Sequence, residues 1–222
     1  MLDVLNQYNL PMSQIIRFIL SITILGSILQ CSGSKAKKSL EDLRVAFNNE
    51  STNAEKYEKY GQAALNQGFD TLAQLFIAVA KSERIHATNH GKVIERFGID
   101  SGIAEIGNFE VKSTAENLKE AVKSEMFDFQ TVYQAYIRDA EREKAPEIAK
   151  TFTWAWNSEK KHLQYFRLAS SVISKGHETN LPFVWFICST CGNMYTITDL
   201  KKECEFCLTK QENFIGYTKP SE

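Results

Sequence analysis

The strongest constraint on this chain is where its helical pattern breaks. From Ser39 to about Lys175, apolar residues recur at three- and four-residue spacing, as in Leu40, Leu43, Ala46 and Phe47. Three places interrupt the pattern. Asn66-Gln67-Gly68 reads as a short turn, Gly98 to Ser113 as a longer connection with three glycines, and Arg142 to Pro146 as a second short turn whose proline suits a helix start. Short, long and short connections between four helices describe a bundle with one long crossover. Eleven Gly and four Pro among 222 residues leave those stretches free of breakers, and a 43% apolar fraction suffices for a packed core. The net charge of -1 is spread along the chain, so no basic stripe attracts phosphates and nucleic acid is not an expected partner.

The first residues have a different texture. After Arg17 the run Phe18 to Leu29 is apolar for about a dozen residues, which suits a signal-peptide core better than a full membrane span. Ile28-Leu29-Gln30-Cys31-Ser32-Gly33-Ser34 resembles a bacterial lipoprotein cleavage site, in which the cysteine is lipidated; Gln30 departs from the small residue usual there. Residues 1–34 therefore read as a signal peptide or membrane anchor, 35–176 as the bundle and 177–222 as a small C-terminal domain. The expected location is the cell envelope, membrane-associated through a lipid at Cys31, with an uncleaved anchor or a cytoplasmic protein as alternatives.

Two Glu-x-x-His motifs occur, Glu83 with His86 and Glu159 with His162, and this spacing puts both members on one helix face. Either motif alone is equally well a surface ion pair. Their heights say more. Glu50 and Glu83 are equidistant from the turn at Asn66-Gln67, and Glu125 and Glu159 from the turn at Arg142, so antiparallel pairing brings each lone Glu level with a Glu-x-x-His. Four carboxylates and two imidazoles buried in one layer are costly without cations, and this oxygen-rich set suits a bridged pair of iron or manganese ions.

Beyond Gly176 the pattern changes to Phe183-Val184-Trp185-Phe186-Ile187 and then two Cys-x-x-Cys pairs, Cys188 with Cys191 and Cys204 with Cys207. Twelve intervening residues let four thiolates surround one tetrahedral metal. The spacing does not separate iron from zinc, and a core this small depends on the metal for its folding.

The sequence from Leu40 onward resembles the rubrerythrin family, on Leu43-Arg44-Val45-Ala46-Phe47-Asn48-Asn49-Glu50-Ser51 and on Asn117-Leu118-Lys119-Glu120-Ala121 leading to Glu125. The resemblance implies a mainly α fold: a ferritin-like four-helix bundle followed by a rubredoxin-like domain of short strands and cysteine knuckles. It implies di-iron ligands at Glu50, Glu83, His86, Glu125, Glu159 and His162, and tyrosines near the site at Tyr57 and Tyr133, each otherwise a core aromatic. Asp128 stands where the family carries a second Glu that exchanges with a histidine at one iron; a methylene shorter, it is expected either to ligate or to touch a ligand. His90 has no such counterpart and reads as structural or exposed. Iron in the cysteine site would relay electrons, with zinc as the alternative, and Trp185 and Phe214 fit the aromatic packing of that module. Glu205 and Leu208 depart from the proline and small residue usual in its second knuckle. The implied activity is reduction of hydrogen peroxide with electrons from an unidentified donor. It would take place in a homodimer that sets one subunit's cysteine centre beside the other's dimetal site. The rivals are an iron-storage protein capped by a structural zinc ribbon and a metal-stabilised interaction module.

Overall fold

Turns and caps decide where each rod begins and ends. In the computed structural model, which describes residues 36–174 and 180–218, α1 spans Lys37–Asn66 and α2 spans Asp70–Arg96. Every contact below lies within the unit Lys38–Glu222. Cys31 and the apolar run before it lie outside the described residues. No helix among the described residues is long and apolar enough to cross a membrane.

Between α1 and α2, Gly68 takes a left-handed φ of +80°, and the N–H groups of Gly68 and Phe69 bond to the carbonyls of Leu65 and Ala64 at 3.0 and 2.9 Å. A residue without Cβ is needed to close the helix end this way. The same turn holds the start of the third rod: Gln67 Oε1 accepts from the N–H and the hydroxyl of Thr114 at 3.1 and 2.9 Å. That rod opens as α3, Thr114–Phe127, on a reciprocal cap between Ser113 and Glu116. It then passes through one π-helical turn, Asp128–Val132, and continues as α4, Tyr133–Arg142. The apolar spacing gives no sign of this π turn. The last rod, α5, spans Pro146–Ile173 with its proline in the first turn, where a missing N–H costs nothing.

The long crossover has no regular structure, yet it is strapped to α1. Arg44 donates to the carbonyls of Asp100, at 2.7 Å, and Ser101; Asn48 Oδ1 accepts from Glu105 N–H at 3.2 Å; and Thr52 Oγ1 accepts from Gly107 N–H at 2.9 Å. These three residues are spaced by four along one helix face, which is why a single stripe serves the whole connection.

Inside the bundle Tyr57, Tyr60, Phe76 and Phe166 form an aromatic cluster, with ring centroids 5.2 Å apart for Phe76 and Phe166. The C-terminal domain is a small antiparallel sheet in the order β2-β1-β3, with β1 Trp185–Cys188, β2 Met194–Thr196 and β3 Phe214–Tyr217. The two aromatics assigned to this domain serve different places. Phe214 stacks on Tyr195 at 5.3 Å beside the cysteines, whereas Trp185 turns to the bundle and meets Tyr165 of α5 edge-on at 4.8 Å. Burying this indole against α5 is part of what docks the sheet.

Candidate metal centres

Four rods each bring one carboxylate into a single buried layer: Glu50 from α1, Glu83 from α2, Glu125 from α3 and Glu159 from α5. With His86 and His162, none of these residues is more than 3% exposed. They fall into two overlapping groups, Glu50, Glu83, His86 and Glu159, and Glu83, Glu125, Glu159 and His162, each with ligand atoms within 4.8 Å of one another. Glu83 and Glu159 belong to both, the position of bridging carboxylates. Both imidazoles present Nδ1 to this layer: that of His86 lies 3.0 Å from Glu83 and 3.2 Å from Glu159, and that of His162 lies 3.2 Å from Glu159 and 3.3 Å from Glu125.

The charges conflict when only protein atoms are counted. Burial, reinforced by the neighbouring carboxylates, pushes Glu83 and Glu159 well above the ordinary carboxylate range. Burial works in the same direction on Glu50, yet the imidazole of His86, 3.4 Å away, holds it down at about 2. Glu50 Oε2, Glu83 Oε1, Glu125 Oε2 and Glu159 Oε1 are buried without a hydrogen-bond donor. One unpartnered oxygen per carboxylate, all converging on one layer, is the arrangement a pair of cations satisfies. The donor set therefore fits a carboxylate-bridged metal pair.

Two phenols reach the same layer, Tyr57 donating to Glu125 Oε1 and Tyr133 to Glu50 Oε1. His90, read as structural or exposed, is fully buried: its Nε2 lies 3.1 Å from the Tyr133 hydroxyl and its Nδ1 3.0 Å from Thr151 Oγ1. Burial lowers its imidazole to about 4, so it is neutral, donating to Tyr133 and accepting from Thr151. Asp128 opens the π turn and falls in neither metal group. Burial, then the charges of Glu125 and Glu50, pushes its carboxyl up to about 8. It lines, with Glu50 and Tyr133, a cavity of about 10 Å³.

The second centre is built from turns. Cys188 and Cys207 sulfurs lie 3.4 Å apart, as do those of Cys191 and Cys204, and all four are within 4.8 Å of one another. None is disulfide-bonded. Hydrogen bonding with Cys188 and Cys204 pushes the Cys191 thiol far up, while Cys188 and Cys191 hold Cys204 far down, the pattern of thiols crowded where one cation belongs. Gly192 turns the first knuckle with φ +83°; Leu208 turns the second with φ 62°, a strained choice for a residue with a Cβ.

The knuckle lies directly on the dimetal layer. A Cβ at position 192 would stand 2.6 Å from His86 Nε2 and 3.0 Å from Ser82 Oγ, so only glycine allows this approach. Asn89 donates to Thr190 O at 2.7 Å, and Lys161 donates to Met194 O at 3.1 Å and pairs with Glu205 at 3.0 Å. Glu205, the departure from proline, thus has a partner inside the second Glu-x-x-His motif. Ser82, Asn89 and Lys161 carry no sequence signal, because their roles exist only once the two regions meet.

Fold and sites together define a helical-bundle protein with a di-iron-type carboxylate site and a tetracysteine centre. Residues 41–170 match the rubrerythrin family, and the chain belongs to that family. It is 30% identical to rubrerythrin-2 of Clostridium acetobutylicum over 79% of this chain and 94% of that protein. With the nigerythrin of Nitratidesulfovibrio vulgaris it shares 25% identity over 81% of this chain and 86% of that one. A mixed-valence structure of nigerythrin superposes with a TM-score of 0.72 at 25% identity, over the same shares. A bacterioferritin from Desulfovibrio desulfuricans, 18% identical over 67% of this chain and 86% of its own, shares the fold at a TM-score of 0.62.

Proposed function

We propose that this chain reduces hydrogen peroxide to water, one peroxide with two protons and two electrons giving two waters. Glu50, Glu83, His86 and Glu159 would hold one iron and Glu83, Glu125, Glu159 and His162 the other; the cysteines would hold a single iron rather than zinc. When bound, the iron pair supplies the two electrons and polarises the peroxide oxygens. The protein's part is to orient the carboxylates through Tyr57 and Tyr133, and the cavity of about 10 Å³ beside Glu50 and Asp128 leaves no room for a bulky substrate. The observation that carries this reading is the seating of Gly192 against His86 and Ser82. An iron store has no use for a cysteine centre in contact with its histidines, whereas an electron relay requires short distances.

The test is spectroscopic. The aerobically purified protein should be red, bleach with a one-electron reductant, and recolour rapidly on adding a stoichiometric amount of peroxide. A colourless tetracysteine centre, or slow recolouring with iron accumulating in large excess, would instead support storage. The resemblance to a lipoprotein signal and to the family carries two further proposals, envelope attachment through Cys31 and a homodimer. Cys31→Ala should release the protein from membranes, and unchanged fractionation would refute lipidation.

A further inference from the structure

His90 belongs to neither metal group, yet it is fully buried one turn beyond His86 and links four rods. Its ring nitrogens meet Thr151 Oγ1 of α5 at 3.0 Å and the Tyr133 hydroxyl of α4 at 3.1 Å, and Tyr133 in turn meets Glu50 Oε1 of α1. The hydrogens along this chain have one arrangement. A carboxylate that serves a metal is ionised and only accepts, so the phenol hydrogen goes to Glu50 Oε1. Tyr133 then has no hydrogen left for the imidazole, so His90 Nε2 carries the ring hydrogen and donates it. Nδ1 of this neutral ring keeps a lone pair, which accepts from the Thr151 hydroxyl. Phe152 packs across the imidazole with ring centroids 5.6 Å apart and fixes its plane.

The two oxygens of Glu50 are thereby given different tasks. Oε1 is held by the phenol, whereas Oε2 has no donor and lies 3.4 Å from His86 Nδ1, on the metal side. Glu50, Glu83, His86 and Glu159 then offer one atom each to the metal of that group, and a Glu50 using both oxygens would add one more. Beside Glu50 and Tyr133 lies the cavity of about 10 Å³, which also touches Asn53 and Asp128 and has about the room of one water molecule. We propose that His90 is a positioning residue: acting through Tyr133, it confines Glu50 to one metal-binding oxygen, so that the metal beside His86 keeps a position free for a small oxygen ligand standing in this cavity. The proposal deepens the peroxide reading above and rests on it only for the identity of that ligand. Without the His90 hydrogen the Tyr133 hydroxyl is free to turn away, and Glu50 Oε1 is released to fill the position.

Azide titration of the oxidised, iron-loaded protein, followed as a difference spectrum, measures that free position without turnover. His90→Phe keeps a flat ring in the site but removes both nitrogens; with metal content unchanged, it should bind azide about tenfold more weakly. His90→Gln, whose amide can donate to Tyr133, should recover most of the affinity. Tyr133→Phe should be as weak as His90→Phe, and the double variant no weaker than either, because both act on one oxygen of Glu50. If His90→Phe fails to hold its metals, Thr151→Val stands in for it: losing the hydroxyl that selects the tautomer should weaken azide in the same direction. In zinc-loaded, nitrogen-15-labelled protein the His90 ring hydrogen should lie on Nε2. A residue that only supports the fold would lower the melting temperature on substitution and leave azide binding unchanged. That result, a ring hydrogen on Nδ1, or a wild type without affinity for azide overturns the proposal. A wild type that binds azide in a His90-dependent way but never recolours with peroxide sinks the peroxide reading and leaves the role of His90 standing.

Discussion

The two centres of this protein collect their ligands from very different lengths of chain. The dimetal layer draws on residues from Glu50 to His162, placed by four long rods around a core of Tyr57, Tyr60, Phe76 and Phe166. The tetracysteine centre draws on Cys188 to Cys207, placed by two backbone turns. Packing of the rods places the first set whether or not metal is bound, and the cost is four carboxylates crowded out of water. The second region has little core of its own and owes its order to its metal and to the bundle beneath it. One centre is thus preformed and electrostatically strained, the other metal-dependent.

The largest expected effect separates them by metal removal. Stripping the cysteine centre forfeits about 10 kcal/mol of binding free energy that doubles as folding energy. Residues 185–218 should lose amide-exchange protection while the bundle keeps its helical circular dichroism; simultaneous loss of both would break the contrast.

Acid should attack the bundle instead. The imidazole of His90 is lowered by burial from 6.5 to about 4, so the stability it contributes is complete above pH 6.5 and is lost as pH falls through 4. That loss amounts to about 3 kcal/mol. His90→Gln should flatten denaturant-measured stability across this window, and an unchanged slope would remove His90 as the cause.

The strain of the dimetal layer can be measured through Glu83. Its carboxyl is raised above the ordinary 4.5, first by burial and then by its acidic neighbours. Its contribution is therefore favourable at low pH and fades as pH rises. In the metal-free protein at pH 7, Glu83→Gln should stabilise by about 2 kcal/mol, while the metal-loaded variant loses affinity. Destabilisation of both forms would mean that the layer is not strained.

The smallest effect belongs to the knuckle. Leu208 is 68% exposed and sits at φ 62°, so Leu208→Gly should relieve about 1 kcal/mol of backbone strain and raise the temperature at which the cysteine centre releases its metal.

Much of the dimetal layer was legible in advance because helices convert sequence spacing directly into height. Glu50 and Glu83 about one turn, and Glu125 and Glu159 about another, could be matched without coordinates. Asp128 resisted that arithmetic, since the π turn that begins with it shifts the helical register locally. His90 did so for another reason: its neighbours Tyr133 and Thr151 come from other rods, and nothing adjacent in sequence announces a buried partner.

Sequence by itself determined the four rods, their connections, the level of the carboxylates and the tetracysteine set, because each depends on helical period or on motif spacing within a short stretch. Only the tertiary structure decided that Trp185 docks on α5, that Gly192 lies against His86, and that Ser82 bridges His162 to the knuckle. Those contacts join positions as much as 110 residues apart. They follow from how two finished surfaces fit, which no local preference encodes.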